Sequence, residues 1–284
     1  MHGTGENALE AWLRGEISGP VALMRMALAG QGPEAILRTL GEDPRCAALH
    51  GLARRHLAGL AALRRMVEAG ADHRPAGSAA EGLSAQRRLF DRLAAISPEA
   101  GVAAYALGDP ALLAEATAEI IGWLRGAGLL EGRPDILDLG CGIGRIAAAL
   151  APAAGSVLGL DLSPGMVAAA RARCAGLARL RFAACSGRDL AGFDDASFDL
   201  VLAVDVFPYL VQADPALAAR HVAEAGRVLR PGGSLVILNY GYRDPATDRA
   251  ELAALARSSG LALLREGERP FALWDGALFW LRRG

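Results

Sequence analysis

The residues best suited to chemistry lie in one short run, Asp135-Ile136-Leu137-Asp138-Leu139-Gly140-Cys141-Gly142-Ile143-Gly144-Arg145. Glycines at alternate positions permit positive φ and, lacking Cβ, let a ligand approach the main chain closely. The apolar residues before them suit a strand of a covered parallel sheet, and Ile146 to Leu150 continue as a helix whose first turn offers free N–H groups. Adenine cofactors commonly bind at such a strand-loop-helix corner. A second polar set, Asp205, Tyr209, Asn239, Tyr240 and Tyr242, follows two later apolar runs, at the sheet edge where α/β ligands sit and a general base could act. Asp205, Tyr209 and Tyr240 are the catalytic candidates, with the two tyrosines equally suited to be pocket walls or positioners. All 30 basic residues are arginine, which excludes lysine Schiff bases and the phosphate-loop lysine.

The spacing of the glycines discriminates between cofactors. A dinucleotide fingerprint G-x-G-x-x-G starting at Gly140 needs glycine at position 145, but that position holds Arg145 and the third glycine is Gly144. Asp138 followed by Gly140, Gly142 and Gly144 resembles the first motif of the class I S-adenosylmethionine-dependent methyltransferases. Val157 to Met166, reading VLGLDLSPGM, is similar to that family's second strand and the turn after it. The resemblance implies that Asp161 holds the ribose diol, where a carboxylate can accept from two vicinal hydroxyls. It also implies that Leu162 and Met166 lie against adenine, while Ser163-Pro164 serves as a helix N-cap and first turn.

Asp194 to Leu210 resembles the family's fourth strand and its outlet, so Ala203 and Val204 would lend backbone near the methionine amino group. Val228-Leu229-Arg230-Pro231-Gly232-Gly233-Ser234-Leu235 looks like the helix end, turn and fifth strand of the same family. Together these matches cover about residues 109 to 284. One departure stands out: Ser186 occupies the place where many relatives carry an acid for the adenine amino group. Adenine would then be held by the backbone of Gly187 and Arg188, or by Asp189. A magnesium site of the kind found in catechol-type relatives would use Asp205, but Asn239-Tyr240 replaces its acidic partner, so no metal is expected. His221, alone on a helical run, reads as structural, and Tyr105 is a candidate to close over the cofactor.

The elements that must position these residues follow from hydrophobic periodicity. Up to about Gly128 the chain shows helix-face spacing, as in Leu9 and Leu13, Val21, Leu23 and Leu28, and Leu57, Leu60, Leu63 and Val67, with Gly30, Gly41 and Gly70 as stops. Arg54, Arg55, Arg64 and Arg65 would line the wet face. Asp72 to Ala80, with Pro75 and Gly77, is the best linker candidate. Asp109-Pro110 marks a helix start, and the helix ending near Gly126 should pack on the sheet that follows. From residue 134 strands (135–139, 156–161, 180–185, 198–204, 234–239) alternate with helices (145–151, 164–175, 215–229, 247–259), which implies a parallel sheet with right-handed crossovers. Leu261 to Glu266 and Ala277 to Arg283 lack a helix between them and read as a closing antiparallel hairpin. The expected fold is α/β: a Rossmann-like, seven-stranded, mostly parallel sheet with a C-terminal antiparallel strand, preceded by an α-helical N-terminal region. Residues 1–108 would form that region, as cap, acceptor pocket or dimerisation surface, and 109–284 the methyltransferase domain.

Composition narrows the partners. The 284 residues carry a net charge of -1, so no strong field favours nucleic acid or an anionic membrane, and small molecules become the default. Cys46, Cys141, Cys174 and Cys185 are scattered without a C-x-x-C pair, giving neither a zinc site nor a disulfide framework. Glu6 and Glu10 break any signal pattern, and Ile146 to Leu160 is too short to span a bilayer, so a cytoplasmic location is expected. The activity implied is in-line methyl transfer from S-adenosyl-L-methionine to a small organic acceptor. Its rivals are a non-catalytic cofactor-binding scaffold and, disfavoured by Arg145, a dinucleotide-dependent oxidoreductase.

Overall fold

The computed structural model describes residues 5–68 and 78–284. In chain order the elements are α1 (Gly5–Leu13), α2 (Gly19–Leu28), α3 (Pro33–Gly41), α4 (Ala47–Arg55), α5 (Leu57–Glu68), α6 (Ala79–Ile96), α7 (Pro98–Val102) and α8 (Pro110–Gly126). There follow β1 (Asp135–Leu139), α9 (Arg145–Leu150), β2 (Ser156–Asp161), α10 (Pro164–Arg173), β3 (Leu180–Ala184), β4 (Phe198–Val204), α11 (Phe207–Ala213) and α12 (Pro215–Val228). The chain ends with β5 (Leu229–Leu238), α13 (Pro245–Ser258), β6 (Leu261–Glu268) and β7 (Leu278–Arg283). Two compact units interleave along the sequence: one takes residues 1–72, 92–119 and 271–275, the other 73–91, 120–270 and 276–284.

The first unit is helical. Val21, Leu23, Met26, Ile36, Leu40, Leu60 and Leu63 are buried in it, as the helix-face spacing requires. Leu57 departs from the expected stripe and is 40% exposed. Ser18 caps α2 by accepting from the amide of Val21, and its hydroxyl donates to the carbonyl of Leu273 at 2.7 Å. The late segment 271–275 is thereby sewn into this unit, helped by an Arg25–Asp275 ion pair at 2.5 Å and by stacking of Trp274 on Tyr105. Gly59 admits no side chain, since a Cβ there would lie 1.6 Å from the carbonyl oxygen of Leu107. Of the expected linker, residues 72–77 lie outside the described residues, as does the stop at Gly70; Ala79 and Ala80 already belong to α6.

The second unit is built on a seven-stranded sheet of order β3-β2-β1-β4-β5-β7-β6, in which β7 pairs antiparallel with both β5 and β6 and the other pairings are parallel. Strands β1, β2 and β4 begin and end where the periodicity puts them. The reason lies in burial: Ile136, Leu137, Leu139, Leu200, Val201, Leu202 and Ala203 are covered on both faces, so the run stays apolar rather than alternating. Each fully buried leucine or valine of this kind contributes roughly 1.5–3 kcal/mol. Strand β5 starts at Leu229 rather than 234, because the Arg230–Gly233 turn is absorbed as an irregularity in its ladder with β4. Arg230 bridges Asp199 at 2.7 Å and Asp135 at 3.2 Å, joining the starts of three strands. Helix α11, not anticipated from the sequence, follows β4 directly and buries Phe207, Leu210 and Val211. Helix α8 begins behind the Asp109 cap as expected, and Trp123 in its last turns meets Trp280 of β7 edge-on at 5.9 Å.

Candidate cofactor-binding site

Strand order reverses between β1 and β4, and in an open α/β sheet the crevice at the carboxyl ends of such neighbours is where ligands bind. The glycine run fills this corner. Gly140, Gly142 and Gly144 all have positive φ, at 69°, 51° and 71°. Two of the three are demanded by the protein's own packing: a Cβ on Gly140 would come within 2.0 Å of Val206 Cγ2, and one on Gly144 would press on Ala170, Phe182 and Cys174 at 3.1–3.2 Å. The loop is therefore drawn tightly between the end of β4 and the face of α10. Arg145, where a dinucleotide fingerprint requires glycine, is 8% exposed, so a large side chain occupies the space that motif keeps empty.

Asp161, at the end of β2, is half-buried and held by two backbone donors. Gly142 N–H reaches Oδ2 at 2.9 Å and Ser163 N–H reaches Oδ1 at 2.8 Å. Burial pushes its carboxyl above the usual range, with the nearby charge of Asp91 adding to the shift and the backbone donors opposing it. Asp138 is 2% exposed, and its Oδ2 is a buried oxygen without a hydrogen-bond partner. Desolvation pushes its carboxyl up to about 7, against the attraction of Arg145. A buried, unpaired carboxylate oxygen is costly, and it lies in the strand leading straight into the glycine loop. Cys141 is buried beside it, its thiol pushed up by burial and kept neutral.

The remaining residues of the donor set fall around this corner. Ser163 caps α10 by accepting from Met166 N–H at 3.1 Å, and Met166 is fully buried on the first turn. Leu162 and Gly187 are brought together: a Cβ on Gly187 would lie 3.2 Å from Leu162 Cδ1 and 2.9 Å from Leu83 Cδ2. Ser186, standing where relatives carry an acid, accepts from Arg188 N–H at 3.2 Å, and the Arg188 side chain is exposed. Asp189 is turned to its own loop, accepting from Ala191 N–H, and faces Arg220 at 3.9 Å. Ala203 is buried and Val204 half-buried at the end of β4, paired with Ile237 and Leu238.

The acceptor-side candidates divide. Asp205 and Asn239 terminate adjacent strands in positive-φ conformations, at 58° and 64°, uncommon for residues with side chains. Asn239 Nδ2 donates to Asp205 Oδ1 at 2.8 Å, and the Tyr242 hydroxyl donates to the same oxygen at 2.8 Å. Tyr209 meets Tyr242 edge-on at 6.2 Å, and their hydroxyls are hydrogen-bonded. Desolvation, then the charge of Asp205, pushes both phenols up, so both are protonated donors at neutral pH. Tyr240 belongs elsewhere: it is 1% exposed among Phe207 and Phe279, and its hydroxyl donates to Glu251 at 2.8 Å. Tyr105 is likewise buried, stacked on Trp274 at 5.4 Å. His221 is structural, its Nδ1 bonded to the carbonyl of Leu217 at 2.8 Å and its pKa lowered by burial.

Sequence reasoning missed Gln86, Phe90 and Asp91 on α6. Gln86 Nε2 donates to the Tyr209 carbonyl at 2.6 Å, Phe90 packs edge-on to the Tyr209 ring at 5.0 Å, and Asp91 Oδ1 accepts from Ser163 Oγ at 2.5 Å. The only signal in the sequence is the capping box Ser78-x-x-Glu81, which starts the helix and says nothing of where it docks.

A glycine corner at a topological switch point, with an acid ending the neighbouring strand, is the arrangement that the resemblance to class I S-adenosylmethionine-dependent methyltransferases implies. Residues 137–237 match the family described as methyltransferase domain. Over 105 residues the chain is 39% identical to a demethylmenaquinone methyltransferase of Clavibacter sepedonicus, covering 37% of this chain and 40% of that protein. Over 110 residues it is 36% identical to a 2-methyl-6-phytyl-1,4-hydroquinone methyltransferase of Synechocystis, covering 38% and 33%. The matched segments thus span about two fifths of the length of the first curated relatives. Among solved structures, magnesium protoporphyrin IX methyltransferase of Synechocystis with bound S-adenosylmethionine superposes with a TM-score of 0.53 at 18% identity, covering 72% of this chain and 97% of that one. Haemonchus contortus phosphoethanolamine N-methyltransferase 1 gives 0.56 at 15% identity, covering 72% and 49%. At such identities these two show the fold alone.

Proposed function

We propose that the chain is a methyltransferase that moves a methyl group by in-line displacement from S-adenosyl-L-methionine to a small organic acceptor. The observation that carries this reading is the corner itself: Asp161 is fastened to the glycine loop through Gly142 N–H, one strand away from the buried, unpartnered oxygen of Asp138. The fit to the donor is chemical. Asp161 would accept from the two ribose hydroxyls, Asp138 would answer the cation at the methionine end, and Leu162, Met166, Gly187 and Arg188 would surround adenine. Gly140, Cys141, Gly142, Gly144, Ala203 and Val204 would supply the backbone wall. The bound donor supplies a methyl on a sulfonium, already activated for displacement.

What the chain must then do is position, exclude water and handle at most one proton. Tyr209 and Tyr242, protonated and linked to Asp205, would line the acceptor space and offer it their hydroxyl oxygens as hydrogen-bond acceptors, with Asp205 the candidate base if the acceptor is a hydroxyl. A neutral amine, a thiolate or a carboxylate would need no base. Supporting a small acceptor are the near-neutral charge and the similarity to a demethylmenaquinone methyltransferase and a 2-methyl-6-phytyl-1,4-hydroquinone methyltransferase. Residues 109–284 would be the catalytic domain, with 1–108 serving as cap, acceptor pocket or dimerisation surface. A cytoplasmic site, without nucleic-acid or membrane partners, belongs to the same reading, supported by the near-neutral net charge.

Calorimetry with S-adenosylhomocysteine and with NAD tests the donor. Binding of S-adenosylhomocysteine alone is expected, and binding of NAD alone would overturn the reading. Transfer from radiolabelled donor into pooled quinols, phenols and amines separates an enzyme from a cofactor-binding scaffold, since a scaffold would leave every pool unlabelled.

A further inference from the structure

Residues 79–91 of α6 lie against the chain that follows β2, β3 and β4 in the same unit. Leu83 fills the space in front of Gly187, Gln86 and Phe90 hold Tyr209, and Asp91 reaches the N-terminus of α10. There Asp91 Oδ1 takes both the Ser163 hydroxyl at 2.5 Å and the Gly165 N–H at 3.1 Å. Ser163 has a single hydroxyl proton. With that proton given to Asp91, its lone pairs face Met166 N–H as the helix cap. The backbone N–H of the same Ser163 holds Asp161 Oδ1 at 2.8 Å. A continuous chain therefore runs from Asp91 through Ser163 to Asp161, the acid assigned to the ribose.

We propose that Asp91 is a positioning residue for the donor site: by fixing Ser163 and the first turn of α10 it sets the carboxylate of Asp161 in its ribose-binding orientation. The proposal rests on the methyltransferase reading above. Asp91 does so as a hydrogen-bond acceptor and not as a charge. Both of its bonds go to one oxygen, which an asparagine can reproduce, and its negative charge works against ionisation of Asp161. The same helix bears the groups that hold Tyr209, so the segment ties the donor corner to the tyrosine side of the site.

The test is calorimetric titration of the full chain with S-adenosylhomocysteine. Asp91→Ala should weaken binding about tenfold, the loss expected for one or two hydrogen bonds. Asp91→Asn should stay within about twofold of the parent, because its Oδ1 accepts both bonds. Ser163→Ala should match Asp91→Ala, and the double variant should lose little more, since the two act through one joint. Parental affinity in Asp91→Ala, an asparagine variant as weak as the alanine one, or additive losses would each overturn the proposal. Failure of the parent protein itself to bind S-adenosylhomocysteine would instead bring down the donor reading.

Discussion

Asp138 and Asp161 are both carboxylates pushed upward by burial, but they sit in different surroundings and should behave differently. Asp161 has two backbone donors, so it can stay ionised when a ligand presents hydroxyls. Replacing it by alanine should weaken S-adenosylhomocysteine binding by about 1.5–3 kcal/mol, read by calorimetry; unchanged affinity would mean that the ribose lies elsewhere. Asp138 has an unpartnered oxygen and a folded-state pKa of about 7, above its ordinary value. The folded form therefore binds a proton that the unfolded chain has released between about pH 4 and 7, so this group's contribution to stability falls as pH rises across that window and levels off above it. Asp138→Asn removes the cost: the variant should melt higher than the parent at pH 8 and approach it only as pH falls to about 4. The same ionisation should favour a ligand's ammonium group, so parental affinity for S-adenosylhomocysteine, which carries one at its amino-acid end, is expected to rise through pH 7 and that of Asp138→Asn to stay flat.

The glycine loop is the element on which the site depends, and its glycines answer packing as much as ligand approach. A Cβ on Gly140 meets Val206 at 2.0 Å while φ is 69°, so Gly140→Ala carries both a clash and backbone strain. A loss of about 2–4 kcal/mol in chemical denaturation is expected from those two effects together. Val206→Ala in the same chain should restore only part of it, because trimming the neighbour relieves the clash and leaves the left-handed backbone. Full restoration would show that sterics alone matter there. Strands β1 and β4 place this loop by being apolar on both faces, and α11 completes the corner by presenting Val206 and Phe207 immediately after β4.

Over the whole molecule, two units interleave along the chain, with residues 73–91 and 276–284 belonging to the sheet unit and 271–275 to the helical one. Ligand binding to one folded unit stabilises that unit by mass action. S-adenosylhomocysteine at about 100 times its dissociation constant should stabilise the sheet unit by about 2.7 kcal/mol, raising its melting temperature by a few degrees. Scanning calorimetry checks this, and an unmoved thermogram at saturating ligand would contradict binding to the folded sheet unit. If two transitions are resolved, only the one belonging to the sheet unit should move.

Local pattern made most of the sheet readable, because central parallel strands must be apolar throughout and helices between them must show one apolar stripe; β1, β2 and β4 needed nothing more. Asp138, the three glycines and Asp161 were legible for the same reason, since a tight strand-to-helix turn and the strand beside it leave signatures within a few residues. The surroundings of Tyr240 were not legible because a tyrosine after a strand can point either way, and here burial beside Phe207 and Phe279, with Glu251 accepting its hydrogen bond, decided it. Helix α11 was hidden by its length of seven residues and its Phe-Pro start, which reads as loop. The sequence by itself determined the sheet's central strands and the glycine corner beside the end of β2, all written in local spacing. Only the tertiary structure decided that α6, some 70 residues before Ser163, brings Asp91 to the end of β2 and Gln86 to Tyr209. Contacts between residues so far apart depend on which buried faces meet, and no local periodicity records that.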